Sequence, residues 1–169
     1  MGRQYYPDTL GFGNADGTAL TASTTATSIL QPFAKTTLPA GFFEVGRVLR
    51  LTAAGRVSNI ITTPGTLTLD VRFGGVIVAN GGAMSLNIVA KTNVPWTLEW
   101  LLTCRAVGSG TSANMMHQGR WVSESVIGSG IPTAGGAGVH MLPNVTPAVG
   151  AGFDSTAAQS VDLFAAWSL

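Results

Sequence analysis

The chain has 169 residues, the length of one domain, and only 10% of them are charged, against about 25% in a typical soluble domain. Nine Lys and Arg against eight Asp and Glu leave a net charge of +1, so no basic field exists to hold nucleic acid or an anionic membrane. The single cysteine, Cys104, excludes an internal disulfide framework and a cysteine-based zinc cluster, and two histidines leave little for a metal site.

Residues 1–17 carry Arg3, Tyr5, Tyr6, Pro7 and Phe12 without an apolar period. They hold no secretory signal, which places synthesis in a cytoplasm, and they read as an extended arm that must lie on something to hide its aromatics. Residues 18–169 form the domain proper. Residues 18–30 are rich in Thr and Ala and suggest a weakly patterned strand. In residues 48–57, Leu49, Leu51 and Ala53 fall on one face and Arg50, Thr52 and Ala54 on the other. Residues 66–73 alternate more cleanly, with Leu67, Leu69, Val71 and Phe73 opposite Thr66, Thr68, Asp70 and Arg72. Gly74 and Gly75 then supply the positive φ angles of a tight hairpin into residues 76–78. Asn80-Gly81-Gly82 reads as the next turn, and residues 85–92 as a further strand.

The strongest strand spans residues 96–104, where Trp96, Leu98, Trp100, Leu102 and Cys104 share one face. Gly108-Ser109-Gly110 ends it, and residues 115–127 resume as a strand around Trp121 and Val122. Residues 125–153 hold no Asp, Glu, Lys or Arg, but Pro132, Pro143, Pro147 and seven glycines forbid a spanning helix, so residues 128–152 read as a long loop. Residues 161–169 close the chain, with Val161, Leu163, Ala165, Trp167 and Leu169 on one face. About eight strands at regular spacing, with no helical period and no internal repeat, predict an antiparallel sandwich or barrel.

Chemistry-bearing residues are sparse and scattered. Gly108–Ala113 matches a loose dinucleotide fingerprint, yet no helical period follows to aim amides at a pyrophosphate, so a loop between strands is the better reading. His117 and His140 lack metal-ligand spacing and would need Glu124 or Asp154 brought to them. Cys104 lies on the apolar face of its strand, as a small buried hydrophobe does. Asp70 and Glu99 fall on polar strand faces beside Arg72 and Arg105, which suits exposed cross-strand ion pairs better than a glycosidase dyad. Arg47, Arg50, Arg56 and Arg72 are candidates to line one sheet face against an acidic partner. The four tryptophans favour core filling over a sugar platform. No catalytic, cofactor or metal residues are assigned, and no enzyme activity is expected. A charge-poor domain with an aromatic arm instead suits a subunit whose surface a neighbour covers.

Two segments carry a resemblance. Val45-Gly46-Arg47-Val48-Leu49-Arg50-Leu51-Thr52-Ala53-Ala54-Gly55-Arg56-Val57-Ser58 and Thr66-Leu67-Thr68-Leu69-Asp70-Val71-Arg72-Phe73-Gly74-Gly75 resemble a recurring pattern in virion proteins of tailed bacteriophages, followed there by a Trp-containing strand such as residues 96–103. The closing run, residues 160–168, is similar to the late strand of that group. The resemblance implies an all-β fold, an antiparallel jelly-roll-like β-sandwich with an extended N-terminal arm. It further implies a non-enzymatic head decoration, or cement, protein on the outer surface of the capsid. The implied partners are the major capsid protein and further copies of this chain, as a homotrimer, with no nucleic acid and no membrane. Arg3, Tyr5, Tyr6 and Phe12 are the arm residues expected at the interface. A tail component (fibre, baseplate or receptor-binding head) is the rival within that group, and a carbohydrate-binding module the rival outside it.

Overall fold

The computed structural model describes residues 8–60, 62–125, 138–144 and 149–169. Among the described residues, nine strands run in chain order: β1 (Thr27–Ser28), β2 (Thr37–Leu38), β3 (Val48–Asn59), β4 (Thr66–Phe73), β5 (Val76–Ser85), β6 (Lys91–Ala106), β7 (Asn114–Ser123), β8 (Val139–Leu142) and β9 (Gln159–Trp167). A single 3-10 turn, Pro32–Ala34, separates β1 from β2. One sheet has the order β1-β9-β4-β5, with β2 also pairing β9, and the other has the order β3-β6-β7-β8. Every pairing between them is antiparallel. The two sheets face each other, so the expected antiparallel β-sandwich is the observed architecture. The order does not supply the jelly-roll part of that expectation: β6, β7 and β8 form a meander within one sheet, and β4 and β5 a hairpin within the other.

The period-two patterns translate directly into faces. Leu67, Leu69, Val71 and Phe73 of β4 point inward with Leu163 and Ala165 of β9, and meet Leu98, Trp100, Leu102 and Cys104 of β6 and Met115 and Trp121 of β7. Phe43, Phe73 and Phe153 close one end, with ring centroids 5.0–5.2 Å apart. The β4–β5 hairpin turns at Gly74 and Gly75, with φ of 55° and 93°, the double left-handed turn that two glycines allow at no steric cost.

Three expectations are corrected. Asn80-Gly81-Gly82 is not a turn. Strand β5 runs through it with a bulge, since Thr68 pairs Ala83 while Asp70 pairs Asn80. Gly82 takes φ 77° and donates its N–H to Asn80 Oδ1 at 2.8 Å, which absorbs the extra residue locally. The strand expected over residues 85–92 is therefore divided: Ser85 ends β5, Lys91 begins β6, and a connection held by the Asn87 and Asn59 side chains lies between. The long loop expected over residues 128–152 contains β8, which pairs β7 and turns His140 and Leu142 inward. Residues 126–137 and 145–148 of that loop lie outside the described residues. Of residues 18–30, only β1 pairs as a strand.

Trp100 lies at the centre of β6 with no exposed surface. Replacing it with Ala removes more volume than the neighbouring strands can close. Trp100→Ala is expected to lower unfolding free energy by about 3–5 kcal/mol in urea titrations, whereas a loss under about 1 kcal/mol would contradict the core assignment.

Candidate interaction surface

The two sheets approach each other unequally. Strand β5 lies against β7 and β8 and closes one side of the sandwich. On the other side, β3 pairs only β6 among the described residues, so its outer backbone edge is open. The inward residues of β3, Leu49, Leu51 and Ala53, are only half-buried, and so are Val161 and Trp167 of β9 across the gap. Between them lies a cleft of about 1880 Å³ whose floor is Leu67, Leu69 and Val71 of β4. This is the inner face of the sandwich left partly open along one seam.

Residues 8–20 run along the mouth of this cleft. They lie on the lip formed by residues 29–36, since a Cβ on Gly17 would collide with the Ile29 carbonyl and one on Gly11 would touch Thr36. Few bonds hold them: Thr36 Oγ1 donates to the Leu10 carbonyl at 2.9 Å, and Gln31 Nε2 donates to Asn14 Oδ1 at 3.1 Å. Asp16 reaches across to Arg56 of β3 at 3.6 Å. Both partners are exposed, so the pair contributes little to stability. Phe12 is 72% exposed and Phe33 of the 3-10 turn 84% exposed, and the two line a small depression with Leu10. Of the arm residues expected at an interface, Phe12 therefore stands in solvent, while Arg3, Tyr5 and Tyr6 lie outside the described residues.

The tryptophans divide. Trp100 and Trp121 are fully buried, while Trp96 and Trp167 are half-buried at the cleft. The Trp96 ring lies flat on Gly55, where a Cβ would stand 2.6 Å from it. That face of the indole is used up by packing and is not a platform for a ligand.

The ionic residues form separate groups. Glu99, on the outer face of the β3-β6-β7-β8 sheet, pairs with Arg50 of β3 at 2.5 Å and Arg120 of β7 at 3.1 Å. These are cross-strand pairs as expected, though the partners are Arg50 and Arg120 rather than Arg105. Around them stand exposed Val48, Leu101 and Met116. Asp70 departs from expectation. It is 4% exposed and pairs along its own strand, accepting from Arg72 Nε at 2.6 Å and NH2 at 3.1 Å. Phe164 explains the burial, because the Arg72 guanidinium sits 4.0 Å from its ring centroid and the two roof the carboxylate. Donating to the Asp70 carboxylate raises the Arg72 pKa above its ordinary value. Arg47, Arg50, Arg56 and Arg72 do not share a face. Arg50 and Arg56 point outward from β3, Arg47 packs over Phe42 in the turn before it, and Arg72 belongs to the other sheet.

The remaining polar groups are buried structural members. Gly108–Ala113 joins β6 to β7 without a helix. Burial pushes the Cys104 thiol pKa up, away from a nucleophile's range. Trp100 Nε1 donates to His117 Nδ1 at 3.3 Å, so that nitrogen must be unprotonated. His140 faces inward beside Trp121 across the β7–β8 pair. Among the described residues, no group of three or more His, Cys, Asp or Glu side chains stands where it could hold a metal ion, and no helix is long and apolar enough to cross a membrane. No family model, curated protein or solved structure matches the chain.

Burial lowers the pKa of both imidazoles below the ordinary 6.5. The folded state then binds fewer protons than the unfolded chain at mildly acid pH, so acid favours unfolding. The melting temperature is expected to fall as pH drops below about 6.5 toward the depressed folded-state values. A flat profile across that interval would contradict two neutral, buried histidines.

Proposed function

We propose that this chain is a non-enzymatic structural subunit of a virus particle, a capsid decoration protein of a tailed bacteriophage. In this reading it binds the outer head surface as an oligomer and stabilises the shell. The single observation that carries the assembly part is the half-open cleft: a sandwich that leaves Leu49, Leu51 and Trp167 half-covered gains free energy when a neighbour covers them. Exposed Phe12 and Phe33 support the same reading, because a charge-poor chain keeps such rings in water at a cost in solubility. The placement on a phage particle rests on the resemblance of residues 45–58 and 66–75, which are the turn into β3 with β3 itself, and β4 with its glycine turn.

The mechanism would be mass action. A subunit that binds only the assembled shell shifts the shell's equilibrium toward the intact state, by an amount set by its concentration relative to Kd. No bond is made or broken.

Copy number per particle tests the reading. Quantitative mass spectrometry of purified particles of the encoding virus is expected to give hundreds of copies, and removal of residues 1–17 to leave the domain folded but unable to bind those particles. A few to a few dozen copies would assign the chain to the tail instead. Its absence from particles would overturn the proposal.

A further inference from the structure

We propose that the outer face of the β3-β6-β7-β8 sheet is a docking surface for an acidic patch on a protein partner, with Arg50, Arg56, Arg105 and Arg120 receiving its carboxylates. This surface is separate from the cleft, and the inference does not depend on what the partner assembles into.

Charge is divided unevenly between the two outer faces. Alternation turns Arg50 and Arg56 of β3, Glu99 and Arg105 of β6 and Arg120 of β7 to the outside of this sheet, four cations against one anion. The outside of the other sheet is balanced, since Arg72 pairs Asp70 and Lys35 pairs Asp162. A chain of net charge +1 therefore concentrates its positive charge on one side. Lys91, the one lysine in the strands of this sheet, stands at the start of β6 and is taken by Glu124.

These arginines have donors left to give. Glu99 meets Arg50 with Oε1 and Arg120 with Oε2, through one nitrogen of each guanidinium. A guanidinium carries five N–H donors in a planar fork, so most of each fork is free for another carboxylate. The two side chains are 64% and 61% exposed. Glu99 holds both in place, which lowers the side-chain entropy that binding would otherwise cost. Arg105 is exposed and has no ion pair among the described residues. Asp16, which lies outside the sheet, stands 3.6 Å from Arg56, so that end of the face already receives a carboxylate.

The spaces between the arginines are apolar, and this favours a protein as the partner. Val48, Leu101, Met116, Val122 and Met141 are exposed on the same face. The register sets Arg50 beside Leu101, and Arg120 between Glu99 and Met141. Arginine and methionine are enriched in protein–protein interfaces and lysine is depleted, which is the composition seen here. A phosphodiester backbone would cover the cations and leave the apolar side chains in water, whereas a protein surface covers both. Four strands about 4.8 Å apart, with about ten residues of 3.3 Å rise, give a face of roughly 600 Å² in plan. That is the scale of one side of a standard interface, about 800 Å² of accessible surface.

Titration of a fluorescent random copolymer of Glu and Tyr with the purified full chain tests the surface. Saturable binding is expected, and it should weaken as salt rises. Replacing two arginines together, Arg50→Gln with Arg120→Gln, is expected to weaken it about tenfold or more, because hydrogen bonds to charged groups are lost. Arg105→Gln breaks no ion pair, and is expected to weaken binding with the melting temperature unchanged. Lys35→Gln, on the opposite sheet, is expected to leave binding as it was. Loss in either arginine variant but not in Lys35→Gln supports the proposal. No saturable binding by the unsubstituted chain, binding that survives in both arginine variants, or an equal loss in Lys35→Gln would overturn it. Duplex DNA and vesicles of phosphatidylcholine with phosphatidylserine are expected to bind more weakly than the copolymer. Tighter binding of either through the same arginines would give the face to that class of partner and overturn the protein assignment. None of these measurements uses assembled particles, so they stand apart from copy number.

Discussion

The packing of β5 over β7 and β8 is the constraint from which the rest of the molecule follows. At that side, the sheets close on Met84, Leu142 and Trp100, and side chains are fully buried. Because one seam is closed, the twist of the two sheets opens the other, and the inward face of β3 cannot reach β9. Small residues make the separation wider. Ala53 and Gly55 fill little space, and Trp96 folds down onto Gly55 rather than across the gap. The outcome is one well-packed seam and one cleft, in a chain whose surface carries few charges to solvate it.

The open seam is an energetic statement as well as a shape. Completing the burial of Leu49 and Leu51 alone is worth about 2 kcal/mol at about 25 cal/mol per Å² of apolar surface. The indole N–H of Trp167, at the same place, has no partner among the described residues, and an unsatisfied buried donor costs about 1–3 kcal/mol. The first term favours an assembled state over a free one, and the second does so where the neighbour brings an acceptor to the indole. The outer face of the β3-β6-β7-β8 sheet adds a second surface of the same mixed character, with Glu99 clamped between Arg50 and Arg120 among exposed Val48, Leu101 and Met116.

Much of the sandwich was legible in the residue pattern. Alternation in β4, β6 and β9 named the inward faces, and Gly74-Gly75 named the hairpin, because period two and paired positive φ angles are local properties. What escaped was set by contacts between distant segments. Asn80-Gly81-Gly82 has the composition of a turn, and only the register against β4 makes it a bulge. Four residues are too short a run to announce β8 between glycines and prolines, yet β7 supplies its partner. Asp70 sits on the polar face of β4 and is buried all the same, because Phe164 and Arg72 meet over it. The cleft was hidden for the same reason. The pattern gives which way Leu49 and Leu51 point, but the distance to the opposite sheet depends on packing at the far seam.

Backbone hydrogen exchange along β3 tests most directly whether the open edge is where this chain meets another. Amides of residues 48–59 that point away from β6 are expected to exchange rapidly in the dilute single chain and to slow in the associated form, while those of β4 stay unchanged. Identical exchange along β3 in both forms would show that association leaves this edge bare, and would contradict the account.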